Sequence, residues 1–573
     1  MTLKYTSNFR YTLRLLFIGV LTLLSCRKDS KTLQDVLMVG TDYMEVSSKD
    51  AAYSLDLLTN LPYSVTADVD WIQFDQPQGD KGKQKVVFKV TKNEDSERVG
   101  VIQLHINEEL NREVLVVQEA GTINVFFVKP DNNGSEGDGR SWETATTLEA
   151  ALAQATNGSE IRLTEGTYIP SKIITGGDGA EEADKTFEID KNIKIVGGFP
   201  LDATAESTPD AQAYPTVFSG KLSSGVESFH VVSITAPLAD QEQVDLQGIT
   251  IRDGNGSDRN TKIKVGGKEI SRGNGAGIVI SGARVVLRQV NVVENKTSNV
   301  RGVSGYAAGI YALGGSELYI YESHVDNNKS DANGGGLWVD EGNAYIFNSS
   351  FDNNYARGTA AGIHAFPNAS VYMYNSSVSG NSGTSYGAAV YARGNSKAFL
   401  VNCLIIGNKS TSPNGGGGVM LYDNCEAHII SSTITKNDIS GPGGGVYRRQ
   451  NTNKLTVINS IISGNEQAGE SSDVDTYEAD AVAPIYRSSV IGSKAYDASN
   501  IIISGANFNA ANMLSTSFLP IGSNNPALQY GVNASTLKNL AQQYNPALSN
   551  EIEEDYNGVS RDAKTIMGAI VEE

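Results

Sequence analysis

Gly336-Leu337-Trp338-Val339-Asp340, carried on through Ala344-Tyr345-Ile346-Phe347 and Ser350-Phe351-Asp352 to Asn354, is one turn of a program that the chain runs seven times between Asn274 and Asn465. Small residues precede an aliphatic, a β-rich run follows, then a polar bend, a second short apolar run and an asparagine. The closing asparagines are Asn295, Asn328, Asn354, Asn381, Asn408, Asn437 and Asn465, at steps of 33, 26, 27, 27, 29 and 28 residues. A period in this range marks a solenoid, in which each repeat buries its apolar side against its neighbours. No 3.6-residue stripe runs through the repeats, and Val, Ile, Tyr, Ser, Asn and Gly dominate them. Strands and turns are therefore expected.

The asparagines serve as rulers. Eight positions before each lies an apolar residue (Leu287, Ile320, Ile346, Met373, Leu400, Ile429, Val457), and three before lies another (Val292, Val325, Phe351, Val378, Ile405, Ile434, Ile462). Both columns are expected to point inward. Six before the end, Gln289, Glu322, Asn348, Asn375, Asn402, Ser431 and Asn459 fit a bend that tolerates left-handed geometry. Five before it, Val290, Ser323, Ser349, Ser376, Cys403, Ser432 and Ser460 read as a small interior stack.

Coils of this length with three short strands resemble the right-handed parallel β-helix of pectate-lyase-like proteins. The resemblance implies an all-β fold, a right-handed solenoid in which seven rungs rise roughly 30 Å at ~4.8 Å per coil. Earlier runs, Asn192–Phe199 and Val244–Ile251, read as less regular rungs that start the rod.

Lys4, Arg10 and Arg14 precede an apolar run from Leu15 to Leu24 and then Ser25-Cys26. This resembles a bacterial lipoprotein signal, which implies acylation of Cys26 and an outer-membrane, extracellular address. The run is too short for the roughly 20 apolar residues of a membrane span, so the lipid is the expected membrane contact. Of the cysteines that remain, Cys403 and Cys425 fall at different offsets within their rungs, which disfavours a bridge. With 46 basic against 65 acidic residues, the net charge of −19 repels nucleic-acid phosphate.

The expected division is 1–26 signal, 27–40 tether, 41–120 small β-sandwich, 121–200 amino-terminal cap and first strands, 201–514 rungs and 515–573 carboxy-terminal end. Asp68–Ile72, Lys85–Val90, Glu97–Ile102 and Glu113–Glu119 alternate as strands and resemble BACON domains of Bacteroidetes surface proteins. That resemblance implies carbohydrate binding or a spacer; Trp71 reads as a core residue, which favours a spacer. Leu148–Ala155 is expected as a helix that covers the first coil, whose strand edges are otherwise unpaired. Trp142 and the turn at Asp138 read as capping, with a calcium site at Asp131 and Asp138 as the alternative and no other cofactor expected. Asp555 and Arg561 read as a pair pinning the closing turn.

Two outward sets of side chains follow. Nine and seven before the asparagines lie Tyr319, Tyr345, Tyr372, Phe399 and His428, and Tyr321, Phe347 and Tyr374. These read as cross-strand stacking, or as ground covered by loops. On the first strand of each rung, Tyr311, Trp338, His364, Tyr391 and Tyr447 form a column whose rings suit sugar rings. Two positions on come Asp340, Phe366, Arg393, Tyr422 and Arg449, with Glu341 beside them. The β-helix resemblance implies that lyase or hydrolase chemistry uses this side, with Arg393 or His364 as base, Tyr391 as acid, and Asp340 and Glu341 around a cation.

Three functions are compatible with these residues. The first is a surface lipoprotein holding a polymer, above all a glycan, along the first-strand groove for an uptake system; the BACON resemblance implies a SusC/SusD-like partner. The second is a polysaccharide lyase or glycoside hydrolase using that groove. The third is an adhesin or peptide-binding rod. Beyond these calcium and cation alternatives no metal site is expected, and no nucleic acid.

Overall fold

The structure is a computed structural model that describes residues 35–93, 97–107, 110–119, 121, 124–130, 137–174, 176–239, 242–299, 303, 305–476, 482–492, 502–504, 513–521, 524–529, 531–542, 555–557, 559–561 and 566–571. The signal with Cys26, and Asp131, lie outside the described residues. The chain forms two compact units, 1–121 and 122–573.

In the first unit, strong period-2 segments such as Ala51–Thr59, Gly82–Val90 and Arg98–His105 put alternate side chains inward. They build a four-stranded and a five-stranded sheet that share one core, including Leu55, Val86, Phe88, Ile102 and Val116. Trp71 differs from expectation. It lies in a turn just before the short strand Ile72–Gln73, packs on the edge of the core, and carries the Arg98 guanidinium over its ring at 4.7 Å.

The second unit is a parallel β-helix. Four ladders run along it: sheet A through Ile310–Leu313, Leu337–Val339, Ile363–Ala365, Val390–Arg393 and Val419–Tyr422; sheet B through Glu317–Tyr321, Asn343–Phe347, Ser370–Tyr374 and Lys397–Val401; sheet C through His324–Asp326, Ser350–Asp352 and Ser377–Ser379; and sheet D through Lys329–Ser330, Tyr355–Ala356 and Ser382–Gly383. Each coil closed by one of the seven asparagines thus has four strands rather than three. The fourth follows directly on the asparagine and is only two residues long in most coils, too short to show an alternation in sequence.

Through the seven repeats register is held without slippage because the buried columns repeat, whereas the early pairing of Glu160–Thr164 with Lys194–Phe199 shifts between Arg162 and Thr164. Every residue of the two apolar columns is fully buried. The residues six before the asparagines all have positive φ, from 47° at Asn375 and Ser431 to 53° at Gln289 and Asn402. A second left-handed corner, which the columns did not reveal, stands one residue before each asparagine, at Glu294, Asn327, Asn353, Gly380, Gly407, Lys436 and Gly464.

Buried polar groups are satisfied by ladders along the axis. The Asn381 Oδ1 accepts from the backbone N–H and Nδ2 of Asn354 at 2.9 and 3.0 Å. Its own N–H and Nδ2 donate to Asn408 Oδ1, and Nδ2 also to the Phe351 carbonyl. The same pattern joins all seven asparagines. Ser376 Oγ accepts from the Ser349 N–H and donates to the Tyr374 carbonyl, as do its stack-mates in kind. Cys403 sits in that stack, and it and Cys425 are buried and unbridged; burial pushes the Cys403 thiol up to about 12.

The helix Leu148–Gln154, capped by Thr147 Oγ1, places Leu148, Ala151 and Leu152 in the main core at the first coils. Trp142 is buried against Phe127 and Phe199. Asp138 accepts from the Arg140 N–H and Thr144 Oγ1, a closed turn. The carboxy-terminal segment behaves differently from a simple end cap. Its helix Ala534–Gln542 lies on the flank of sheet B, where Leu537 packs on Tyr374, Phe399, Val401, Ile430 and Ile458. Residues 566–571 run along sheet C, with the Arg561 guanidinium, 1% exposed, donating to Asn402 Oδ1 and the Gly568 and Ala569 carbonyls. Asp555 accepts from the Val559 and Val571 N–H groups, and its charge acts on Arg561.

Candidate functional site

On sheet B the two aromatic columns are face-to-face stacks. Tyr319, Tyr345, Tyr372, Phe399 and His428 follow one another at centroid spacings of 4.7 to 4.9 Å with interplanar angles of 13° or less. Tyr321, Phe347 and Tyr374 do the same at 4.9 and 5.0 Å. The ring faces are consumed by one another, and solvent meets only ring edges. A sugar that stacks needs a face, so this side offers no stacking platform.

Sheet A supplies the other column. Val390 and Ala392 point into the core, so Tyr391 and Arg393 point out, and the same alternation holds on each coil. A small left-handed residue four positions earlier lets each outward side chain lie back over its own loop. A Cβ on Gly387 would come within 2.8 Å of Tyr391 Cβ, and on Gly443 within 2.4 Å of Tyr447 Cβ. That contact explains the small residue four before each ring, while Gly336, Gly362 and Gly418, just before the strands, lie against carbonyls of the next coil.

Folding back has a consequence for the five expected ligand residues. Tyr311, Trp338, His364, Tyr391 and Tyr447 are all buried, between 1% and 7% exposed. Tyr311 and Trp338 lie beneath Tyr306 and the hairpin of Lys262–Val265 and Lys268–Ser271, in a cluster with Ile263, Val265 and Ile270. Trp338 Nε1 donates to the Phe366 carbonyl at 2.9 Å. As open platforms these residues are corrected by the structure: apolar rings that can reach a loop are covered by it.

The catalytic candidates divide. His364 is sandwiched between Trp338 at 4.3 Å and Tyr391 at 5.0 Å, and neither ring nitrogen has a hydrogen-bond partner. Burial pulls its pKa down to about 3, with the Arg393 charge adding to the effect, so the ring is neutral and a poor base. The Tyr391 hydroxyl is buried without a partner and its pKa is raised by the same desolvation. Both candidates are therefore set behind the surface rather than at it. Asp340 stays half-buried and accepts from the Tyr311 hydroxyl at 2.6 Å; burial raises its carboxyl. Glu341 is exposed, with φ of 53°. Arg393 pairs with Asp423 at 3.1 Å and stands two coils from Asp340, so the expected cluster is not one constellation.

The accessible part of the groove is the outer column. Phe366, Arg393, Tyr422 and Arg449 lie on successive coils and are all partly exposed. The Arg393 guanidinium lies 4.9 Å from the Phe366 ring and 5.3 Å from Tyr422, while Arg449 lies 5.0 Å from Tyr422 and 4.6 Å from Tyr386. Tyr386 and Asp423 were not among the sequence candidates: each sits in a loop, off every column. Among the described residues no group of three or more His, Cys, Asp or Glu side chains is placed to hold a metal ion, and no helix is long and apolar enough to cross a membrane. A separate cleft of about 620 Å³ in the first unit is lined by Tyr63, Gln78, Asp80, His105 and Asn107 among others.

Two family models match the chain: the right handed beta helix region over 242–405 and 325–472, and the viral BACON domain over 31–120. No curated protein matches. Among solved structures, the chain is 15% identical to a Bacteroides ovatus GH5 xyloglucanase in complex with a XXXG heptasaccharide, with 29% of this chain and 37% of that one covered and a TM-score of 0.15. The chain thus spans well under half the length of that enzyme. It is 14% identical to the pectate lyase Pel9A over 72% of this chain and 92% of that one, with a TM-score of 0.39. It is 12% identical to the Yersinia enterocolitica Family 28 exopolygalacturonase over 82% and 95%, with a TM-score of 0.25. The buried ladders, the four parallel sheets and the family matches together identify a BACON domain followed by a right-handed parallel β-helix.

Proposed function

We propose that the chain is a cell-surface lipoprotein, anchored through Cys26 at the extracellular face of the outer membrane, that holds a glycan along the sheet A groove for an uptake system of the SusC/SusD type. The observation that carries the reading is the outer column, in which Phe366, Arg393, Tyr422 and Arg449 present one hydrogen-bonding or apolar edge per coil along a straight line. Such a line suits an extended polymer better than a compact ligand, because every coil adds a similar contact at one fixed spacing of ~4.8 Å.

Affinity electrophoresis of the chain from residue 27 onward, through gels carrying neutral and acidic polysaccharides, tests it. Retardation by at least one polymer, diminished by Phe366→Ala and Tyr422→Ala, is expected. Migration unaffected by every polymer would defeat the reading.

A further inference from the structure

Two guanidiniums on this groove are each held against aromatic rings, and they share one of them. Tyr422 lies between Arg393 and Arg449, one coil from each, so the strand positions that carry the two cations stand ~10 Å apart, two coil rises. Phe366 lies on the other side of Arg393, whereas Tyr386, 6.5 Å from the Tyr422 ring, sits beside Tyr422 against Arg449. Each guanidinium thus contacts two aromatic rings, which hold it in place while the residue stays partly exposed. Arg393 gives Nε to Asp423. Arg449 has no carboxylate partner among the described residues, on a protein whose net charge is −19. A guanidinium without a carboxylate partner, held against aromatic rings on an acidic protein, is a receptor for an oxyanion.

The coil between the two cations carries a phenol and not a charge. An extended pyranose chain advances by about one coil rise per ring, so a polymer lying in register meets a cation at every second ring. We infer that the groove selects an acidic polysaccharide bearing one oxyanion, carboxylate or sulfate, on alternate rings, in preference to a neutral polymer or one charged on every ring. A polymer charged at every ring would place its middle anion against Tyr422 and beside the Asp423 carboxylate. This inference rests on the glycan-binding reading of the same groove.

The test is binding of the chain from residue 27 onward to four probes at two salt concentrations: hyaluronan, with a carboxylate on alternate rings; keratan sulfate, with sulfate and no carboxylate; polygalacturonate, charged on every ring; and neutral dextran. Arg449→Gln is measured beside the parent, with Arg449→Lys to separate charge from planarity and thermal midpoints to show that both variants fold. The expected result is strongest retention by hyaluronan or keratan sulfate, whichever wins naming the oxyanion. Arg449→Gln is expected to weaken it about tenfold and to flatten its salt dependence, with Arg449→Lys in between. Equal or stronger retention by polygalacturonate or dextran, or no change in Arg449→Gln, overturns the inference while leaving glycan binding intact. No retention by any probe overturns both.

Discussion

Asn465 gives its backbone N–H and its Nδ2–H to one carboxylate oxygen of Asp473, at 3.0 and 2.8 Å, so a buried aspartate ends the row of seven asparagines. Burial pushes the Asp473 carboxyl up to about 6, against an opposing pull from the Asn465 bonds. An unfolded aspartate releases its proton near 3.9, so the folded chain binds the proton more tightly across pH 4 to 6. The contribution of this group to stability is therefore greatest below about pH 4 and is lost as pH rises through 6. Asp473→Asn, which extends the row by one amide, is expected to stabilise by about 1 to 3 kcal/mol at pH 7.5 and by little at pH 4. Denaturant unfolding at both pH values checks this; an equal effect at the two would refute it.

Asn381 is the middle of the row, and its amide serves four bonds. Asn381→Leu leaves the Asn354 N–H and the Phe351 carbonyl unpaired inside the coil and is expected to cost about 2 to 4 kcal/mol. Chemical denaturation measures it, and a loss below half a kilocalorie would contradict the role given to the row.

His364 has the opposite expectation. Its ring stacks well but both nitrogens are buried without partners. His364→Phe keeps the stack and removes the unpaired groups, and should raise stability by about 1 kcal/mol. Because the ring lies behind the surface, polymer retention in the gel should not change; a loss of retention would bring His364 back as a ligand contact.

Leu537 is fully buried on the flank of sheet B. Leu537→Ala should release the helix Ala534–Gln542 from Tyr374 and Phe399, costing about 2 to 4 kcal/mol locally. Limited proteolysis is expected to cut the carboxy-terminal segment while the coils stay resistant. Uniform sensitivity along the chain would instead tie the helix to global stability.

The coil interior was legible from sequence because it obeys a count. The apolar columns, the left-handed bends at Asn348 and Asn375, and the serine stack each recur at one offset from an asparagine, and each does one physical task per coil. What was not legible depends on loops. Trp338 and Tyr391 occupy outward strand positions, yet the hairpin around Ile263 and the small residue at Gly387 decide that they are covered. Tyr386 and Asp423 belong to bends of unequal length, where no offset is shared. The flank position of Leu537 was hidden for a related reason: a nine-residue helix shows its apolar side, but not which coil receives it.

Because Arg393, Tyr422 and Arg449 each stand on a different coil joined by one register, the groove is graduated like a measuring rule. Duplicating or deleting a whole coil would lengthen or shorten its reach by one graduation and invert which rings meet a cation, while leaving the neighbouring coils as they are. Ligand length and charge pattern can thus change in whole steps, by an event that adds about one repeat of chain and no new design.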